Sequence, residues 1–394
     1  MNVAGSSDNK DSQVSRADSS GSARKWNRWL IVAILLAGFA VLAQTQCVPP
    51  QIFKDAKVPH DGKPIGSKVA VVYHNDYTIR FFGAEKNHPH PQKYDKFYLG
   101  LIKAGLIKPD EVYVPQEATE KQITLAHSKK FIKSLKDSKE VADYLEAPVI
   151  GAAPNWLVDS VVLAAFRKQV GGTILAAELA KKYGIGINLG GGYHHAKEDH
   201  GEGFCIYNDL AIAIRCMQKK KLIKRALVID LDVHQGNGTA EIFEDDKTVY
   251  TFSMHQGNIY PVPKSESDWD IELASGTTDK QYLAKLKAAL PKLFKKAKPD
   301  MVFLQAGADV LKGDKLASLK LTPAGLKKRD QMVIEACVKR KIPVVYTTGG
   351  GYGKNSWKAQ LASISNIIKK YGLEGKKSPH KQRNATWYED FYTN

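Results

Sequence analysis

The sequence predicts an α/β fold with a parallel sheet and helices on both faces. Short apolar, β-branched runs alternate with longer stretches of helical periodicity, the pattern of repeated strand–helix–strand units. The chain has 394 residues, 43% hydrophobic and 25% charged, enough for one large domain or two smaller ones. Because ligands of such sheets bind beyond the carboxyl ends of the strands, functional side chains are expected just after them.

The segment before the alternating pattern has a different composition. Residues 1–28 are polar and are predicted to be disordered. Residues 29–43 form an isolated apolar run behind a basic flank, which predicts a signal-peptide h-region or a short membrane anchor. Residues 44–66 carry several prolines and are predicted to be a linker. The sequence therefore predicts a membrane-anchored or exported protein, with contact to a membrane through residues 29–43 if they are not cleaved, rather than a cytoplasmic one.

The alternation runs from residue 67 to 372, the predicted catalytic domain, and residues 373–394 form a basic and aromatic tail. Strands are predicted at Val69–Tyr73, Ile185–Leu189, Ala226–Ile229, Val249–Phe252, Met301–Leu304 and Pro343–Tyr346. Helices are predicted at Trp156–Tyr183, Asp209–Lys221, Asp279–Lys298, Pro323–Arg340 and Lys354–Tyr371.

The net charge of +17 raises the question of a nucleic-acid surface. The lysines are scattered over predicted helix faces, and no helix-turn-helix or aromatic RNA-binding motif accompanies them. This favours a solvated basic surface, so no specific nucleic-acid partner is expected. The 4 cysteines show no paired spacing, so they indicate neither disulfides nor a compartment.

One strand end carries a cluster of metal-ligand residue types. After Ala226–Ile229 come Asp230, Asp232 and His234, which point the same way if the extended backbone persists. Two carboxylates and an imidazole are costly to bury unless a cation offsets their charge, and Asp and His are common zinc ligands. Acids at a strand end can also simply be solvated, so both readings stay open.

The glycine-rich turn after Ile185–Leu189 is followed by two adjacent histidines, His194 and His195. A single histidine is more often structural, but two behind a tight turn indicate acid–base chemistry. The stretch Gly201–Cys205 is consistent with a plain loop and decides nothing by itself.

Two later strands end in comparable clusters. Asp309 follows Met301–Leu304 and is a candidate third metal ligand. Tyr352 follows the glycines after Pro343–Tyr346, where it belongs either to the core or to a site that stabilises an oxyanion.

Taken together and in order, these motifs resemble the zinc-dependent histone deacetylases of the arginase/deacetylase superfamily. The residues that carry the resemblance are Gly190–His195, Asp230–Gly238, Gly307–Asp309 and Gly350–Tyr352. Further stretches resemble the class IV branch: Val72–Phe81, His88-Pro89 with Lys93–Asp95, Gln169–Ile174 and Leu321–Gly325. The resemblance implies the arginase–deacetylase fold, a single open α/β domain with a mostly parallel sheet.

The resemblance also implies a ligand set and a catalytic pair. Asp232, His234 and Asp309 are implied to hold one zinc ion per chain. His195 is implied to be the general base and acid, with His194 as its electrostatic partner.

Supporting roles follow in the same way. Asp230 is implied to orient His194 and to contribute to a potassium site, and Asn237 to lie behind His195. Phe204 and Tyr260 are implied to wall the channel for the lysine stem. The Gly203 carbonyl is implied to accept the substrate amide N–H, and Tyr352 to donate to the oxyanion.

The implied function is a zinc-dependent amide hydrolase that removes an acyl group from the ε-amine of lysine in a protein or peptide. A deacetylase of acetylpolyamines or other small acylated amines remains an alternative, as does a catalytically silent module that binds acyl-lysine. The class IV resemblance favours a long fatty-acyl chain over acetyl. An arginase-like two-metal enzyme is disfavoured, because the run here is Asp-x-Asp-x-His rather than Asp-x-His-x-Asp.

Overall fold

Eight strands form one sheet in the computed structural model, which describes residues 68–79 and 92–372. The strands are β1 Val69–Val72, β2 Val112–Tyr113, β3 Ile185–Asn188, β4 Ala226–Asp230, β5 Val249–Gln256, β6 Trp269–Leu273, β7 Met301–Gln305 and β8 Val344–Thr347. Their order is β2-β1-β3-β8-β7-β4-β5-β6, and every described pair is parallel. The predicted fold class is confirmed.

Both faces of the sheet are buried, which explains why the central strands are continuously apolar. In β4, Ala226 and Val228 belong to one hydrophobic cluster, whereas Leu227 and Ile229, which alternate with them, point to the other face. All four side chains are at most 1% exposed.

The helices of the described residues are α1 Lys93–Lys103, α2 Glu120–Ile123, α3 Lys129–Ser134, α4 Ser138–Tyr144, α5 Pro148–Gly151, α6 Asn155–Leu157, α7 Ala164–Tyr183, α8 Asp209–Lys219, α9 Asn237–Ile242, α10 Asp279–Ala297, α11 Pro323–Lys339 and α12 Ser356–Ile367. Helices α7 and α8 contribute to the cluster that covers one face. On the other side, the α10 residue Tyr282 donates a hydrogen bond to the Leu231 carbonyl, 3.4 Å away.

The sequence pattern missed the shorter elements. Strand β2 has only two residues, and β6 (Trp269–Leu273) is a partly exposed edge strand in which apolar and acidic residues alternate. The predicted helix Trp156–Tyr183 is interrupted, because Val158–Leu163 form π-helical turns before α7 begins at Ala164.

The prediction of a membrane-anchored or exported protein needs correction. No helix within residues 68–79 and 92–372 is long and apolar enough to cross a bilayer. Even the 20-residue helix α7 is interrupted by charged residues such as Arg167, Lys168 and Glu178. We therefore withdraw the membrane span, the signal segment and the extracytoplasmic location.

Several predicted segments lie outside the described residues. These are residues 1–28, 29–43, 44–66 and 373–394, together with residues 67 and 80–91 of the predicted catalytic domain. All described residues belong to one compact unit of the chain. The boundaries proposed for the catalytic domain, 67 and 372, stay a prediction.

Candidate active site and metal centre

The candidate site lies where four adjacent strands end. Strands β3, β8, β7 and β4 are neighbours in the sheet, and each is followed by one of the polar clusters seen in the sequence. Because all four are parallel, their carboxyl ends open on the same edge. Groups more than 100 residues apart in the chain are brought together in this way, as in the bond from the Gly350 backbone N–H to the Asp232 carboxylate.

Asp232, His234 and Asp309 form a buried group that could hold a metal ion. One ligand atom from each residue lies within 4.8 Å of the others. The His234 Nδ1 atom is 3.3 Å from Asp232 Oδ1 and 3.4 Å from Asp309 Oδ2. The sequence prediction thus named residues that the fold brings together, while their role as ligands stays a prediction.

Backbone groups orient the two carboxylates. Asp309 Oδ1 accepts from the Val233 N–H at 2.9 Å, and Asp232 Oδ2 accepts from the Gly350 N–H at 2.8 Å. A side chain at position 350 would not fit, because its Cβ would lie 2.0 Å from Asp309 Oδ2. These contacts hold both acids in one small buried space.

The charge of this group fits a cation. Among the described residues, Asp309 Oδ2 is buried without a hydrogen-bond partner. Burial and the neighbouring Asp232 carboxylate raise the pKa of Asp309 to about 7. A divalent ion would satisfy the orphaned oxygen and offset the charge of both acids, and two carboxylates with one imidazole are a donor set that suits zinc.

His194 forms a buried ion pair with Asp230. Its Nδ1 is 2.6 Å from Asp230 Oδ2, and both side chains are almost completely buried. Burial lowers the pKa of His194, but Asp230 and Asp232 more than offset this and raise it to about 9. His194 is therefore positively charged at neutral pH.

His195 has the opposite electrostatic character. Burial, followed by the nearby charges of His194 and His234, lowers its pKa well below the usual range. The rings of His194 and His195 are centred 4.0 Å apart, and Nδ1 of His195 lies 2.7 Å from Asn237 Oδ1. His195 is therefore neutral, as a general base must be before it accepts a proton.

Aromatic rings lie beside His195 and His234. The Tyr260 ring is centred 5.0 Å from that of His195, and the Tyr352 ring 6.3 Å from that of His234. Phe204 faces Tyr352 at 6.2 Å. Burial raises the pKa of Tyr352 well above its ordinary value, so its hydroxyl stays protonated and able to donate.

The glycine at position 203 allows the backbone to approach the His195 ring closely. Its φ is +54°, and a Cβ there would lie 2.7 Å from the His195 ring. Only glycine takes this backbone conformation without strain and also leaves room for the imidazole.

The sequence interpretation missed several residues that support the site. Lys93, in the first turn of α1, is buried and donates to the Gly349 carbonyl, and burial lowers its pKa to about 8. Asp314 accepts from the N–H groups of Tyr352 at 2.8 Å and of Gly353 at 3.0 Å. Lys93 lies in a stretch that carries the class IV resemblance but had no assigned role, and Asp314 follows no recognisable pattern, because the partner of each is defined only by the tertiary contact.

Comparison with known proteins adds an independent line of evidence. Residues 88–368 match the family model described as the histone deacetylase domain. The chain belongs to the histone deacetylase family. Histone deacetylase 2 of Arabidopsis thaliana is 39% identical over 305 residues, which cover 76% of this chain and 79% of the relative. An uncharacterized protein of Picosynechococcus sp. is 40% identical over 290 residues, 72% of this chain and 92% of the relative.

A solved structure agrees on the architecture. The crystal structure of the HDA15 HD domain matches with a TM-score of 0.63 and 24% identity, over 77% of this chain and 93% of that chain. At this identity the likeness establishes the fold alone. Family membership supports an amide hydrolase of the lysine deacetylase type. It does not decide the class IV branch, the acyl group or the metal.

Proposed function

We propose that this protein is a zinc-dependent hydrolase that removes an acyl group from the ε-amine of lysine. The observation that carries the proposal is a buried Asp232, His234 and Asp309 group beside a neutral histidine, His195. A zinc ion held by these three residues would polarise the amide carbonyl and make water more acidic. Three protein ligands also leave a coordination position open, as catalytic zinc sites require.

The side chains of the chain itself would then move the protons. His195 takes the proton from the attacking water and later delivers it to the leaving amine. The charged His194 discourages a second positive charge on His195 before the reaction begins. Tyr352 donates its hydroxyl hydrogen to the developing oxyanion, an interaction often worth about 3 kcal/mol.

The substrate would enter between the aromatic rings. Phe204 and Tyr260 would flank the lysine stem, and the Gly203 carbonyl would accept the amide N–H. A long fatty-acyl chain is proposed over acetyl from the class IV resemblance alone. Potassium near Asp230 is proposed on the same basis, and an acylated polyamine is the competing substrate class.

The test is a panel of lysine peptides that differ in acyl length, together with acetylpolyamines, assayed with the full chain in the presence and absence of a chelator. We expect hydrolysis of at least one acyl-lysine peptide, loss of turnover with the chelator and recovery with zinc. Hydrolysis of polyamines alone would replace the proposed substrate. No hydrolysis by the zinc-loaded protein would favour the acyl-lysine binding module. Two metal ions per chain would favour the arginase-like reading.

Two variants test the assigned roles. His195→Ala and Tyr352→Phe should each lower turnover by at least about tenfold, since each removes a group used only in the reaction. Neither side chain belongs to the proposed ligand set, so zinc content, measured by elemental analysis, should be unchanged. Normal turnover in either variant would remove that residue from the mechanism.

A further inference from the structure

We propose that Glu202 is a positioning residue that sets the orientation of the Asn237 amide and, through it, the proton position on His195. The inference rests on the proposed function, in which His195 is the base. It concerns a residue from Gly201–Cys205, the stretch that is uninformative in the sequence.

Asn237 lies between the two side chains. It is 2% exposed and is the first residue of α9. Its Oδ1 atom faces His195 Nδ1 at 2.7 Å, and its Nδ2 group donates to Glu202 Oε1. The three side chains therefore form a line that runs from the reacting imidazole toward the surface.

The hydrogen-bonding capacity of each side chain decides which atoms donate and which accept. An ionised carboxylate only accepts hydrogen bonds, so Asn237 must turn its NH₂ group toward Glu202. The amide oxygen then faces His195, which must carry its proton on Nδ1 in order to donate. The lone pair is thereby left on Nε2, the atom that has to accept the proton from water.

Without Glu202 the amide loses this constraint. An asparagine side chain can rotate by about 180° with little change in shape, because its oxygen and NH₂ group are nearly isosteric. Rotated in this way, it would donate to Nδ1 and favour the tautomer that carries the proton on Nε2. That tautomer cannot act as the base.

Backbone hydrogen bonds within the loop fix the position of Glu202. Its backbone N–H donates to the Cys205 carbonyl at 3.1 Å, and the Cys205 N–H donates back at 2.9 Å. The side chain is 27% exposed, and its second oxygen is 3.5 Å from His200 Nε2. A surface ion pair with His200 is the competing explanation for Glu202, and such pairs contribute little on their own.

The first test is Glu202→Gln, which keeps the size of the side chain but allows it to donate as well as accept. We expect kcat to fall by about 10- to 100-fold, as for other residues that orient a reacting group, with unchanged KM and zinc content. The double variant Glu202→Gln/Asn237→Asp should recover most of the lost kcat, because an aspartate can only accept from His195 while the glutamine donates to it. A loss that the double variant does not recover would overturn the proposal.

His200→Gln is the matched control. It removes the ion-pair partner of Glu202 and should leave kcat within about twofold of the parent, since surface pairs contribute little. A loss equal to that of Glu202→Gln would assign the effect to the surface pair and refute the positioning role.

A spectroscopic readout separates this inference from the proposed function. In ¹⁵N-histidine NMR spectra of the zinc-loaded full chain, His195 should carry its proton on Nδ1 in the parent and shift toward the Nε2 tautomer in Glu202→Gln. An unchanged tautomer would overturn the role of Glu202 whatever the enzyme hydrolyses. A parent that shows the Nδ1 tautomer but hydrolyses no substrate of the panel would instead overturn the proposed function.

Discussion

The neighbours of a buried imidazole decide its charge, and His194 and His195 show this most directly. Both are buried and their rings are adjacent. Burial lowers the pKa of both imidazoles. The carboxylates of Asp230 and Asp232 more than offset this for His194 and raise its pKa to about 9, whereas the charges of His194 and His234 lower the pKa of His195 further. Two identical side chains thus have opposite protonation states, as the proposed mechanism requires.

A histidine outside the site, His127, should contribute to the acid sensitivity of folding. His127 donates from Nδ1 to the Lys197 carbonyl at 2.7 Å and accepts at Nε2 from the Asn208 N–H at 2.9 Å. Burial lowers its pKa to about 4 from 6.5, so only the unfolded chain binds a proton between these values. Stability is therefore lost as the pH falls through about 6.5, by about 2 kcal/mol between pH 7 and 5.

Urea unfolding at pH 7 and pH 5 measures this contribution. His127→Gln should lose about 2 kcal/mol less than the parent over that interval, because glutamine does not titrate. His200→Gln, which removes a half-exposed imidazole, serves as the control and should follow the parent. Equal pH dependence in all three proteins would contradict the assignment.

The turn at Gly203 should be intolerant of a methyl group for steric reasons. Gly203 and Gly313 both have positive φ, +54° and +85°, so alanine is strained at either position. Only at Gly203 would the Cβ meet the His195 ring, whereas nothing lies within 4 Å of it at Gly313. Gly203→Ala should therefore lower kcat by at least about tenfold, while Gly313→Ala costs about 1 kcal/mol of stability and leaves kcat unchanged. Similar kcat values would show that the close approach does not matter.

Between elements, helix α11 supports the loops that carry the candidate ligands. Its residue Arg329 is completely buried and donates to the carbonyls of Leu231 at 3.0 Å, Gly307 at 2.6 Å and Ala306 at 2.9 Å. Leu231 follows β4 and directly precedes Asp232, and Ala306 and Gly307 follow β7, three and two residues before Asp309. One guanidinium thus hydrogen-bonds to the segments that follow two strands, because its planar group carries several N–H donors that point in different directions.

Loss of this guanidinium should destabilise the whole fold. Arg329→Met would leave the buried Asp330 carboxylate without its counter-charge and remove a donor from each of three carbonyls, at a cost of about 3–5 kcal/mol. Denaturant unfolding of Lys328→Met, an exposed change on the same helix, gives the baseline. A loss below about 1 kcal/mol would mean that the buried pair contributes no more than a surface contact.

At the scale of the whole molecule, the candidate metal would join segments that are distant in sequence. Asp232 and His234 follow β4, and Asp309 follows β7. An ion that binds only the folded state stabilises it by mass action, by about 4 kcal/mol at a thousandfold excess over Kd. For a protein of this size we expect a rise in Tm of roughly 8 °C.

Thermal unfolding with zinc and with chelator measures this coupling. Asp309→Asn keeps the size of the side chain but lowers the affinity, so the zinc-dependent rise should largely disappear. Asp110→Asn, at an exposed position, should retain it. An equal rise in both variants would mean that zinc binds elsewhere.

The residue pattern determined the strands that organise the site. The core strands β3, β4, β7 and β8 were predicted to within about two residues, because strands buried on both faces are continuously apolar and end at polar or glycine-rich turns. The same strand ends supplied Asp232, His234 and Asp309 as candidate ligands, but Asp230 was a candidate beside them, and the family resemblance selected the three. The N-terminal apolar run led to a wrong prediction of location, because hydropathy alone does not distinguish the fates of a short segment.

Tertiary structure alone decided which groups support those residues. Glu202, Arg329 and Lys93 act through partners between 22 and 256 residues away in the chain. Contacts between residues so far apart in the chain cannot be predicted from a local sequence pattern. Apolar periodicity and strand ends can be predicted in this way, because they depend only on neighbouring residues. The sequence by itself therefore determined the fold class and the chemical types of the site. The packing of the strand ends decided the charge of each histidine and the direction of each hydrogen bond, because both depend on neighbours that only the folded chain supplies.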